Sequence, residues 1–174
     1  MALNTEKNLY TVLFAALMVV VVGSILAYLA SGLKPLIKEN ERFEKQQNIL
    51  YAMGVNDNEG TGSVSFIPTD RVEDVFTSYI KEQLVISGDQ ITQNDQAYLI
   101  DMKKQLAARK KGQPYELPVY IGEKDGKKYH ILPMYGKGLW DAIWGFIALD
   151  EDMIVQGVYF DHKAETPGLG ACLL

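Results

Sequence analysis

The chain has 174 residues, enough for one ordinary domain or a small domain with an appendage. A hydrophobic fraction of 48% and a charged fraction of 22% are globular values and exclude a disordered or collagen-like chain. A formal net charge of −5 argues against nucleic acid as a partner, and one cysteine, Cys172, with two histidines, His130 and His162, excludes an internal disulfide framework and a Cys- or His-rich metal site.

Residues 11–30 form an apolar run without a charge. At about 1.5 Å per residue, a helix of that length spans roughly 30 Å, the thickness of the hydrocarbon core of a bilayer. Tyr10 and Tyr28 lie near its ends, where amphipathic rings are favoured, and Gly23 and Ser24 admit close approach of a neighbouring helix. The run is too long for a signal-peptide core and no small-x-small cleavage site is well placed, so an uncleaved single-pass anchor in the lipid bilayer is expected. Lys34, Lys38, Arg42 and Lys45 follow it, against Lys7 before it, and this count alone leans to a cytoplasmic domain.

Beyond the anchor, Leu36, Phe43 and Leu50 recur at heptad spacing, predicting a helical stalk over residues 31–54, closed by Gly54 and with its charged residues solvated. Residues 56–65 read as a loop. Thr69 or Asp70 is expected to cap a second helix, with Asp70 and Glu73 as a capping box. The stripe Val72, Val75, Phe76, Tyr79 and Ile80 is expected in the core. Residues 84–86 read as a short strand before a turn at 87–89. Residues 97–111 are expected to start extended and turn helical, with Lys103, Lys104, Arg109, Lys110 and Lys111 on a solvated face. Strands are then expected at 117–121, 129–135, 139–149 and 153–160, with Asp125 and Gly126 centring a hairpin and Gly157 marking a bulge. The class is α+β: a transmembrane helix, then helices packed on an antiparallel sheet.

Two segments could carry chemistry. The first, YGKGLW at residues 135–140, sets two glycines about a lysine and could bring backbone close to a ligand with Trp140 as a flat face; a bulge at a strand corner with a packed tryptophan is the reading the residues alone favour. Trp144 shares the side of Trp140 in a period-two reading and is expected in the core. The second, ETPGLG at residues 165–170, could turn several amides outward to an anion or the polar edge of a heteroaromatic ring, with Glu165 and Thr166 adding side-chain groups; an ordinary Pro-Gly turn is the alternative.

The pair YGKGLWD (135–141) and HKAETPGLG (162–170), behind a single anchor, closely resembles the FMN-binding domain of the C subunit of the Na+-translocating NADH:quinone reductases. The resemblance implies a flavoprotein subunit of an oxidoreductase complex in the bacterial inner membrane, relaying electrons through FMN between NADH oxidation and ubiquinone reduction, coupled to sodium transport. It implies other subunits of that complex as partners, a flavin transferase for the full-length form, and a periplasmic soluble domain, against the charge count. Thr166, Gly168, Leu169 and Gly170 would line the flavin, with Glu165 and Trp140 beside them, and no catalytic acid, base or nucleophile is implied. The alternatives are a G-type subunit of an Rnf complex and a membrane-tethered assembly module without redox function. In the family, FMN is joined to a threonine in an S-G-A-T-x-T type motif downstream of ETPGLG, and these 174 residues contain no such motif. Residues 55–174 are therefore expected to be an FMN-binding-type domain truncated before flavin attachment, inactive alone, after a tail over residues 1–10, the anchor and the stalk.

Overall fold

The computed structural model describes residues 8–58, 65–139 and 141–163. The chain divides into two compact units, residues 1–41 and 42–174. Helix α1 (Asn8–Ala52) is continuous and passes through Pro35, which forfeits one main-chain hydrogen bond. Every residue from 11 to 41 is exposed, including the whole apolar run. It is long and apolar enough to cross a membrane. Leu36 and Ile37 are among these exposed residues, so the stalk's apolar seam begins to pack only with Phe43.

In the second unit, the end of α1 is buried on both its apolar and its polar side chains. Ile49, Leu50, Ala52 and Met53 enter the core, and Gln46 and Asn48 are buried with them. Arg42 does not lie on a solvated face: it is part-buried, stands 3.3 Å from Glu73 and covers the Phe43 ring at 4.8 Å. The helix ends as the sequence predicts. Gly54, at φ +72°, donates to the Tyr51 carbonyl, and Val55 donates to that of Leu50. This is a Schellman closure, with Val55 and Leu50 as its buried apolar pair.

Helix α2 (Val72–Tyr79) buries Val72 and Phe76. The expected capping box is absent: Arg71 takes the N-cap position and makes no side-chain cap. Its predecessors are instead folded into a turn, with the Arg71 amide donating to the Pro68 carbonyl, so Asp70 falls one position too early. Ile80 opens strand β1 (Ile80–Ser87), which is longer than expected and pairs through a Gly88-Asp89 turn with β2 (Gln90–Gln93), a strand with no apolar alternation to announce it. Residues 97–99 form a 3-10 turn rather than an extended lead, burying Ala97 and Tyr98. Helix α3 (Met102–Lys110) is capped by Asp101, whose carboxylate accepts from the amides of Lys103 and Lys104. Its basic residues are exposed, as expected.

Strands β3 (Leu117–Lys124), β4 (Lys127–Lys137), β5 (Ala142–Leu149) and β6 (Val155–His162) follow as an antiparallel meander. The β3–β4 turn is the expected Asp125-Gly126 pair, both at positive φ. Among the described residues the sheet has six strands in the order β2-β1-β3-β4-β5-β6. Alternation along the strands puts Val85, Tyr120, Ile131, Phe146, Ala148 and Tyr159 on one face, and these join the α1, α2 and 97–99 side chains in one core. Tyr159 meets Tyr51 and Phe66 at ring separations of 5.6 Å each. Burial raises the Tyr120 and Tyr159 phenols above the ordinary tyrosine range, so both stay neutral.

The register shifts beside Gly157, where Ala148 pairs with Gly157 but Leu149 with Val155. A Cβ on Gly157 would strike the Ala52 carbonyl at the end of α1. Gly157→Val should therefore destabilise the sheet–helix contact by about 1–3 kcal/mol, the usual range for overpacking. Thermal unfolding in detergent checks this, with Gly88→Asn, at an open turn position, expected to remain within about 0.5 kcal/mol of the parent.

Candidate functional site at the β4–β5 hairpin

The expected strand over residues 139–149 starts three residues late. Pairing of β4 and β5 reaches Lys137 and Ala142, and the Gly138 amide then donates to the Asp141 carbonyl at 2.7 Å. That bond closes the hairpin next to the last strand pair, so Gly138, Leu139 and Asp141 are not strand. Leu139 at its tip is 89% exposed, an unusual position for leucine.

A pocket of about 300 Å³ lies beside this tip, where β4, β5 and β6 end together. Met134, Ile143 and Phe160 rise from one face of the sheet, with Gly136 between them; Tyr135, Lys137 and Trp144 complete the lining. Gly136 has nothing within 4 Å of where a Cβ would stand, so its missing side chain is open space. Gly145, the neighbour of Met134 and Phe160, differs: there a Cβ would collide with the Tyr159 carbonyl and the Phe160 ring. One glycine lets strands and a ring pack, and the other leaves room. A volume near the lower end of ligand pockets, apolar and aromatic walls and one cation suit a flat apolar ring system with an anionic end.

Trp144 is thus a correction. The sequence placed it in the core; it does share the sheet face of Phe146 and Tyr159, opposite to Met134, Ile143 and Phe160, but it is only half-buried, stands outside the core and borders the pocket from that side. Met134, Ile143 and Phe160 carried no sequence signal, because they belong to three strands and share a site only through register. Gly136 and Lys137 were singled out and do lie at the pocket. Trp140, Glu165, Thr166, Gly168, Leu169 and Gly170 lie outside the described residues.

Below the hairpin tip sits a set of polar bonds. Asp141 Oδ1 accepts from the Ala142 amide at 2.8 Å, and Oδ2 stands 3.3 Å from Lys163 Nζ. The Lys163 amide donates to the Ala142 carbonyl at 3.0 Å, extending the β5–β6 ladder one step past His162. The Ala142 amide, more than Lys163, holds the Asp141 carboxyl below the ordinary carboxylate value, and Lys103 of α3 adds a weaker attraction.

The profile of the FMN-binding domain family matches residues 138–173, from the hairpin tip through β5 and β6. The C subunit of the Na+-translocating NADH-quinone reductase from Pseudomonas aeruginosa is 31% identical over 185 residues, covering 96% of this chain and 68% of that protein. The chain belongs to this C-subunit family. The Neisseria meningitidis serogroup A relative is 32% identical over 159 residues, covering 87% of this chain. The crystal structure of the same reductase's C subunit from Parabacteroides distasonis superimposes with a TM-score of 0.63 at 31% identity, covering 80% of this chain and 62% of that one. The chain spans 60% of the length of the Neisseria relative.

Because the Asp141 carboxyl is depressed, its charged form holds its partners at neutral pH and lets go only as the pH falls through a value below about 3.8, the ordinary one. Lys163→Met should move that titration upward, but only partly, since the Ala142 amide remains. Carboxyl carbon chemical shifts followed against pH check this. An unchanged titration would mean that Lys163 does not act on Asp141.

Proposed function

We propose that this chain is the flavin-carrying, membrane-anchored part of a Na+-translocating NADH:quinone reductase, relaying electrons through FMN between NADH oxidation and ubiquinone reduction. The observation that carries the reading is the overlap of the FMN-binding profile with two walls of the hairpin pocket, Ile143 and Phe160. When bound, FMN supplies reversible electron acceptance, and the protein supplies position and electrostatics.

On this reading Phe160, with Met134 and Ile143 on the same face, offers an apolar surface to the ring, and Gly136 leaves space for it. Thr166, Gly168, Leu169, Gly170 and Glu165 of the ETPGLG segment contribute to the same site, with Trp140 at the hairpin. Helix α1 holds the chain in the inner membrane, the domain faces the periplasm, and the other subunits of the complex are its partners. Sodium coupling belongs to the whole complex. A flavin transferase would serve a form carrying the attachment threonine.

Gly136→Leu tests the pocket. Its Cβ position is open and its φ is not positive, so the fold should hold while the ligand space is filled. FMN titration by flavin fluorescence should show binding to the parent and a loss of at least about tenfold in the variant, equivalent to about 1.4 kcal/mol. Equal affinity would place the flavin elsewhere.

These 174 residues lack the attachment motif, so flavin bound to them should be released by denaturation. A denaturing gel viewed for flavin fluorescence should be dark at the band of this chain. A bright band would show a covalent site within the 174 residues.

A further inference from the structure

Helix α3 buries none of its residues. Its shape comes from its ends. Asp101 caps the first turn; after the last, the Gly112 amide donates to the Arg109 carbonyl and the Gln113 amide to that of Ala108, a Schellman closure with Gly112 at φ +67°. The Gln105 side-chain oxygen adds a tie by accepting from the Glu116 amide at 2.8 Å.

The charge on this helix is one-sided. Residues 102–115 hold five of the chain's 17 cations and none of its 22 acidic residues. Arg109 and Lys110 suit the negative end of the helix dipole, but Lys103 and Lys104 stand in the first turn, at the positive end, where the dipole opposes them. Among the described residues the only ion pair of the helix joins Lys104 to Asp101 at 3.7 Å, with Lys104 81% exposed. Lys103 exerts only the weakest of the pulls on Asp141. At about 100° per residue, Lys103, Lys104, Lys110 and the C-cap Lys111 fall within an arc of about 120°, with exposed Ala107 between them. Met102, Gln105, Leu106 and Ala108 lie off that arc and are half-buried. Arg109 also lies off the arc, over the Tyr115 ring at 5.6 Å. Neither packing nor the dipole accounts for the four lysines, and like charges gathered on one face are relieved by opposite charge from outside.

We propose that this lysine arc is a docking surface for an acidic patch on another subunit of the reductase complex. The proposal rests on the reading above, in which other subunits are the partners, and names the surface they meet. Two features select a protein over a membrane. The lysines stand at fixed spacing along about 12 Å of a helix pinned at both ends, which suits carboxylates that are themselves fixed. A helix that lies in a membrane interface also carries bulky apolar side chains to insert, and the exposed apolar residue on this arc is an alanine.

The test uses the full chain co-expressed with the other subunits and purified through this chain in detergent, at about 0.15 M salt. The parent should bring the other subunits with it. The variant carrying Lys103→Glu, Lys104→Glu, Lys110→Glu and Lys111→Glu should lower their yield at least about tenfold. Its fold should hold, because the new acids are favoured by the dipole at one end of α3 as much as they are opposed at the other; an unfolding temperature near that of the parent checks this. Lys127→Glu with Lys128→Glu, an equally exposed pair on β4, should leave the yield unchanged. A water-soluble carbodiimide, which joins a lysine amine to a carboxylate in contact with it, should link the arc to an Asp or Glu of another subunit, read by peptide mass spectrometry. Full yield from the reversed variant would overturn the proposal and leave the reading above standing. Links from the arc only within this chain or to a second copy of it would overturn it too. An association lost in phosphatidylcholine nanodiscs, restored by phosphatidylglycerol and giving no link from the arc, would assign the arc to lipid. If the parent brings no other subunit, that reading fails and the proposal fails with it.

Discussion

The contact on which the domain depends is the approach of the end of α1 to the sheet, backbone against backbone. The Ala52 carbonyl stands over Gly157 of β6, and the Met53 thioether lies on Gly122 of β3. Neither strand could come this close with a side chain at those positions. Once they do, Ile49 and Leu50 are wholly buried in one core with side chains of the sheet and α2. Full burial of such side chains is worth about 1.5–3 kcal/mol each, so two residues on this turn of helix supply a large part of what a small domain needs. The Schellman closure at Gly54 then turns the chain away without leaving the last carbonyls bare, and the Lys124 ammonium caps the Gly54 carbonyl from β3 at 2.7 Å.

The other end of the sheet follows a different logic. Near α1 the strands are pressed into a core; at the β4–β5 tip they are left open. Gly136 has no neighbour to fill its space, Leu139 is bare, and Ile143 and Phe160 are 41% and 50% exposed. Unused apolar surface of this kind costs solubility and is found where something binds. The domain thus separates the part that provides stability from the part that can hold a ligand, which lets the second vary without unfolding the first.

Much of the fold was legible because local chemistry and final structure agree. The Asp125-Gly126 pair needs positive φ at both residues, and a hairpin provides it. The Val72–Phe76 stripe needs a buried side, and the sheet provides that. The failures share one cause, competition from neighbours. Asp70 is a good cap in isolation, yet the Pro68–Arg71 turn moves the helix start past it. Strand β2 is exposed throughout and exists because β1 offers it an edge, so no pattern of its own could show it. The 139–149 run is apolar enough for a strand, but the Gly138–Asp141 bond ends pairing at Ala142.

The same division holds for the site. The anchor, the antiparallel class, the family and the two motifs follow from the amino-acid order alone, because each rests on composition or on residues adjacent in the chain. That Ile143 lines a pocket with Met134 and Phe160, and that Asp141 meets Lys163, follows only from the folded arrangement. Those pairings depend on strand register, in which a slip of one residue sends every side chain to the opposite face. That register is set jointly by two turns, a bulge and the helix lying on Gly157, and no single stretch of sequence contains it.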